Sequence, residues 1–128
     1  MEPVFLELAE IVAIHADQIE RYGGTPGIRD VGLLQSAVAV PRSTFAGRLL
    51  HEDLCEMAAA YLFHIIRNHP FLDGNKRTGL VAAVVFLAMN GVDIKVGERG
   101  IERIVRAVAE GKAGKAEVAT FFGKHATT

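Results

Sequence analysis

His69-Pro70-Phe71-Leu72-Asp73-Gly74-Asn75-Lys76-Arg77-Thr78-Gly79 runs directly into the apolar stretch Leu80–Met89. Pro70 and the turn signal Asp73-Gly74-Asn75 interrupt any helical period before Lys76. From about Lys76 to Asn90 the chain then reads as a helix, closed by Gly91. It is apolar all round from Leu80 to Met89, which predicts the buried central helix of an all-α fold. Its first turn carries Lys76 and Arg77, where the positive end of the helix dipole lies. Each cation there is an electrostatic misfit of about 0.3–1 kcal/mol. Sequences built only to fold place acids at such positions, and misfits of this kind gather at functional sites.

A bound anion removes the misfit. Backbone N–H groups around Gly74 and Asn75, the helix dipole, Lys76 and Arg77 together make a phosphate nest. Asp73 adds an oxygen ligand beside it, suited to Mg²⁺ shared with nucleotide phosphates. His69 adds an imidazole, the side-chain type best suited to take a proton from a substrate hydroxyl near neutral pH. Anion hole, metal ligand and general base are the components of phosphoryl or nucleotidyl transfer. Each part has a plainer reading. Asp73-Gly74-Asn75 serves equally well as a capping turn, a histidine before proline is more often structural, and Lys76 and Arg77 suit an exposed first turn. The full eleven-residue string is far more specific than its parts.

Apolar residues from Phe5 to Tyr22 recur at spacings of three and four, through Leu8, Ile11, Val12, His15 and Ile19. Gly23-Gly24 stops that helix, and Thr25-Pro26-Gly27 is a turn. A second helix starts from Asp30 as its N-cap, carries Val31, Leu34, Ala37 and Val38 on one face, and ends at Pro41. Pro41 to Leu50 has no helical period and reads as an exposed flap. A third helix spans about Glu52 to Asn68, with Glu52 and Asp53 in its first turn. Val92 to Val96 suits a short extended segment. Glu98–Ala109 and Ala116–His125 are two final helices, separated by a Gly111–Gly114 linker. This predicts a bundle of about six helices with β structure limited to the flap. No repeat or composition break divides the chain, so residues 1–128 read as a single domain.

The chain has 128 residues, enough to bury roughly two-thirds of its unfolded surface. Apolar residues make up 50% and charged residues 23%, which excludes disordered and low-complexity classes. Fourteen basic against fifteen acidic residues give a net charge of −1, which argues against direct nucleic-acid binding. The lone Cys55 forms no internal disulfide and fits a reducing compartment. The start Met1-Glu2-Pro3 has no basic segment or cleavage site of a signal peptide. No apolar run approaches the roughly 18–20 residues needed to cross a bilayer. The expectation is a cytoplasmic protein with no membrane contact.

Other tempting residues have structural readings. His15 lies on an apolar helical face and suits the core. His64 is five residues before His69 and lines the site or packs structurally, the latter preferred. His51 precedes a helix and suits a cap, and His125 lies near a frayed end. Cys55 has no local sign of activation and reads as a small core residue. Arg67 and Asn68 suit either a helix C-terminus or contact with nucleotide or target. No His and Cys stand at zinc-like spacing.

The string His69–Gly79 resembles the Fic motif, H-P-F-x-x-G-N-G-R-x-x-R. It is more similar still to the Doc (death-on-curing) branch, in which Lys replaces the third small residue, here Lys76. Leu80 stands where the final Arg of the Fic pattern would fall. The resemblance extends to Tyr22-Gly23-Gly24, to Asp30–Ala37 and to Ala116–His125, and so covers nearly the whole chain as a Fic/Doc-type bundle.

This resemblance implies the toxin of a type II toxin-antitoxin system, acting as a protein kinase. In Fic enzymes the motif holds ATP for AMP transfer, and position 76 must be small for the phosphates to reach the backbone. Lys76 crowds that space and supplies charge, which favours the Doc mode, with the γ-phosphoryl presented to a serine or threonine hydroxyl. Relatives of this kind modify a threonine of elongation factor Tu and arrest translation. Carried over, His69 is the base, Asp73 holds Mg²⁺, and Gly74 and Asn75 give donors to the phosphates of ATP, with the Asn75 side chain able to join. Lys76 and Arg77 neutralise the moving group, where fixed charge counts most. The flap aligns the target by strand addition. The inhibitory pattern S/T-x-x-x-E of many Fic proteins is missing: Ser36, Ser43, Thr44, Thr78 and Thr120 are followed four residues on by Val40, Gly47, Arg48, Ala82 and Lys124. A brake in trans is therefore expected, a Phd-type antitoxin whose tail folds into a groove on the toxin. AMP transfer to a protein hydroxyl is the first alternative, and a catalytically idle module that binds nucleotide or a partner is the second.

Overall fold

A computed structural model describes residues 2–128. The first helix, α1, spans Leu8–Tyr22 and begins three residues later than the periodicity suggests. The cause is tertiary. The Leu6 N–H donates to the Tyr61 hydroxyl at 2.9 Å, and that hydroxyl donates back to the Leu6 carbonyl at 3.4 Å. Leu6 is thereby held outside the helix and fully buried, and the Glu7 N–H is met by the Glu10 carboxylate at 2.8 Å. Helix α2, Val31–Ala39, starts as predicted, with the Asp30 carboxylate accepting the Leu33 N–H at 2.9 Å. Pro41 does not stop the chain turning but sits in a 3₁₀ turn, Val40–Arg42.

The flap is a two-stranded hairpin of β1, Thr44–Phe45, and β2, Arg48–Leu49, turning through Ala46 and Gly47. Helix α3 spans Leu54–Asn68. Asp53 caps it, accepting the Glu56 N–H at 2.8 Å, so Asp53 and Glu52 lie outside its first turn and Glu56 is the acid within it. Helix α4 spans Asn75–Met89. After it come β3, Asp93–Ile94, helix α5, Glu98–Ala109, helix α6, Lys115–His125, and β4, Ala126–Thr127.

The central helix is α3, not α4. Every residue from Met57 to Leu62 is buried, with α4, α6 and α2 packed around α3. Ala58, Ala59 and Ala60 make this possible: three small side chains in a row let neighbours close on every face. Helix α4 buries a stripe through Thr78, Ala82, Ala83, Phe86 and Leu87 between α1 and α3, and its far end emerges at Met89, 40% exposed. Gly79 sets its approach to α3, because a Cβ there would lie 3.1 Å from the Leu62 carbonyl oxygen. β structure is not confined to the flap. The extended segment after α4 pairs antiparallel with the last residues, Asp93 opposite Thr127 and Ile94 opposite Ala126. Among the described residues no helix is long and apolar enough to cross a membrane.

Candidate active site at the start of α4

His69 is the C-cap of α3 and adopts a left-handed backbone, φ 52° and ψ 53°. That conformation costs a non-glycine residue about 1–2 kcal/mol, and a following proline favours extended backbone instead. The segment before α2 holds it. Arg29 donates from Nε to the His69 carbonyl at 2.7 Å and from Nη2 to the Asn68 carbonyl at 2.9 Å. The Pro70 carbonyl accepts the backbone N–H groups of Arg29 and Asp30 at 2.7 and 3.0 Å, and the Leu72 N–H donates to the Gly27 carbonyl at 3.0 Å. Ile28 and Phe71 form an antiparallel bridge between the two segments.

Phe71 then drives the loop into the core. It is fully buried and stacks on His15 with ring centres 3.8 Å apart and planes within 5°. The His15 Nε2 lies 2.9 Å from the Asp73 carbonyl oxygen. A carbonyl only accepts, so this nitrogen is the donor. His15 is thus the core histidine its position predicts, and it also supports the motif loop. The Asn75 side chain does the rest of the bracing: its Oδ1 accepts the Phe71 N–H and its Nδ2 donates to the Phe71 carbonyl, both at 3.0 Å.

Asp73 is exposed, yet its carboxylate is fixed. The Thr25 N–H donates to Oδ2 at 3.1 Å and the Gly74 N–H to Oδ1 at 2.8 Å. These two donors, aided by the nearby Arg77 guanidinium, hold its carboxyl below the ordinary carboxylate range. Each oxygen keeps a lone pair free for a cation. Among the described residues no three acidic, histidine or cysteine side chains cluster as a metal site. One carboxylate beside a phosphate site is the pattern by which Mg²⁺ is usually held, with phosphates and water completing its shell.

Gly74 turns the chain into α4 at φ 76°, and no side chain caps this helix. Its first turn holds no acid, so its orphan N–H groups point outward unopposed. Lys76 is exposed there and makes no ion pair among the described residues. Arg77 is pinned instead, donating from Nη1 to the Gln18 carbonyl at 3.3 Å and from Nη2 to the Gly23 carbonyl at 3.0 Å. Its guanidinium also lies over the Tyr22 ring, 5.9 Å from the centre.

All six predicted residues, His69, Asp73, Gly74, Asn75, Lys76 and Arg77, line one cavity of about 390 Å³, closed by Ile66 and Ala109. Two details differ from the sequence reading. The Asn75 side-chain amide is committed to Phe71 and the Gly74 N–H is taken by Asp73, which leaves the backbone N–H groups from Asn75 onward, in the first turn of α4, as the donors open to an anion. A larger cavity of about 550 Å³ opens at the other end of α3, between His51, Glu56, Lys115 and Thr120, and contains no motif residue.

The remaining candidates fall outside the site. His51 does not cap α3 but faces the Lys115 ammonium, 3.4 Å from its Nε2. Burial pushes the His64 imidazole down to about 4, with Lys115 and His51 adding to the effect. Cys55 is half-buried, and burial pushes its thiol up. Arg67 caps α5 through the carbonyls of Ala109 at 3.2 Å and Val108 at 3.4 Å, and Asn68 donates to the Leu33 carbonyl at 3.1 Å. Arg29 and Thr25 escaped the sequence reading. Both act through contacts 39 to 48 residues away, which no local pattern records.

Comparison with known proteins identifies the family. The profile of the Fic/DOC family matches residues 5–87. The protein named Protein kinase doc, from Escherichia phage P1, is 40% identical over 85 residues, covering 66% of this chain and 67% of that protein. Toxin Doc from Mycolicibacterium smegmatis is 47% identical over 73 residues, 57% of this chain and 56% of its own length. The chain therefore spans little more than half of the mycobacterial relative. It belongs to the Fic/Doc family.

Proposed function

We propose that this chain is a Doc-type toxin that transfers the γ-phosphoryl group of ATP to a serine or threonine hydroxyl of a translation factor of the elongation factor Tu type, and so arrests translation. The observation that carries this reading is Lys76: an exposed cation with no ion pair among the described residues, in the first turn of a helix without a side-chain cap, on the same cavity as His69. The names of the two relatives, a protein kinase and a toxin, support it.

His69 takes the proton of the target hydroxyl as its oxygen attacks the γ-phosphorus. The bond from that phosphorus to the β–γ bridging oxygen breaks, and ADP leaves. The first-turn N–H groups of α4 and the Lys76 ammonium meet the negative oxygens of the triphosphate. Arg77 adds positive charge from a fixed position, because its guanidinium is held by the carbonyls of Gln18 and Gly23. Asp73 would hold Mg²⁺, which supplies charge neutralisation to the phosphates when bound. A cytoplasmic location and control in trans by a Phd-type antitoxin complete the reading.

The test uses purified chain, target and ATP labelled at either the α- or the γ-phosphate. Label retained from the γ position alone is expected. Retention from the α position alone would establish AMP transfer instead. A His69→Ala variant is expected to lose transfer and toxicity; toxicity undiminished in that variant would favour an idle binding module.

A further inference from the structure

We propose that Arg29 is a positioning residue, its guanidinium holding the His69 backbone left-handed and thereby aiming the imidazole into the cavity at the start of α4. This rests on the reading of His69 as the base. His69 and Ala46 are the only non-glycine residues with positive φ among the described residues, and Ala46 sits in a hairpin turn on the flap. His69 occupies the C-cap, where helices favour glycine, and precedes a proline that disfavours helical backbone on either hand. Nothing in its own sequence explains the conformation. A residue in a sparsely populated conformation persists only where its surroundings over-determine it.

Arg29 supplies that over-determination. Two guanidinium nitrogens reach two consecutive carbonyls, Asn68 and His69, at 2.9 and 2.7 Å. Gripping both fixes the peptide plane on each side of the His69 Cα, which sets φ and ψ together. One donor would fix only one plane. The backbone N–H of Arg29 also meets the Pro70 carbonyl, so the clamp spans three successive residues. Lysine offers a single point of attachment and only part of this grip.

The experiment combines kinetics with a thermal double-mutant cycle on the full chain. Arg29→Ala is expected to lower kcat for transfer by about tenfold or more, with KM for ATP within about twofold. Arg29→Lys should lie between the two. Glycine adopts the left-handed region freely, so the fall in Tm caused by Arg29→Ala should shrink to less than half in a His69→Gly background. An equal fall in Tm in both backgrounds, or a native kcat in Arg29→Ala, overturns the proposal. If Arg29→Ala does not fold, Arg29→Lys carries the same cycle and the same criteria. If the parent chain transfers nothing, the kinase reading fails, while the Tm cycle still decides whether Arg29 holds His69.

Discussion

Asn75 commits its whole amide to one neighbour, and the consequence is measurable. Asn75→Asp keeps the acceptor for the Phe71 N–H but sets a second oxygen against the Phe71 carbonyl. The site is buried, so the unmet carbonyl should lower unfolding free energy by about 1–3 kcal/mol. Urea denaturation of parent and variant reads this directly, and equal midpoints would contradict the bracing role. The same residue shows what the sequence concealed. The string His69–Gly79 named six of the eight residues that line the cavity, all but Ile66 and Ala109. It could not divide their labour, because Asn75 and Arg77 are occupied by backbone groups that only the fold brings within reach.

At the scale of the element, α4 begins with a charge arrangement that opposes its own dipole. Replacing Lys76 with Glu should therefore raise stability in the absence of nucleotide, by roughly 0.3–1 kcal/mol or somewhat more for the full charge reversal. The same change should abolish transfer. Thermal denaturation without ATP, paired with a transfer assay, tests both halves; a destabilised variant would show that Lys76 serves the fold. The misfit was legible because dipole and charge are both local properties. The choice of central helix was not. Apolar character all round drew attention to α4, while α3 is enclosed through its three consecutive alanines, whose small volume registers weakly in any hydrophobic pattern. The pairing of β3 with β4 was hidden for another reason: the partner of Asp93–Ile94 lies more than thirty residues away.

Across the whole molecule, acid sensitivity should come from two histidines near Lys115, His64 within α3 and His51 before its start. His64 is held to about 4 by burial, against the ordinary histidine value near 6.5, and its Nε2 has no partner among the described residues. Between those values the unfolded chain binds the extra proton and the folded chain does not. Stability therefore rises with pH through that window and is lost as pH falls from about 6.5 towards 4. The half-buried His51, also lowered by burial and by Lys115, works in the same direction. Asp73, held below the ordinary carboxylate range, opposes nothing here: its contribution is present at neutral pH and fades only in stronger acid. Tm followed from pH 7 to pH 4 should fall, and His64→Gln should flatten the profile; an unchanged slope would remove His64 from the account.

Transfer of a γ-phosphoryl group onto a protein hydroxyl is the activity proposed for the cavity between His69 and Lys76. Mass spectrometry of a purified elongation factor of the Tu type, incubated with the chain, ATP and Mg²⁺, tests it most directly. The expected result is the mass gain of a single phosphate on one serine or threonine, absent with His69→Ala. A gain corresponding to AMP, or an unmodified target under conditions where the chain arrests translation, would contradict it.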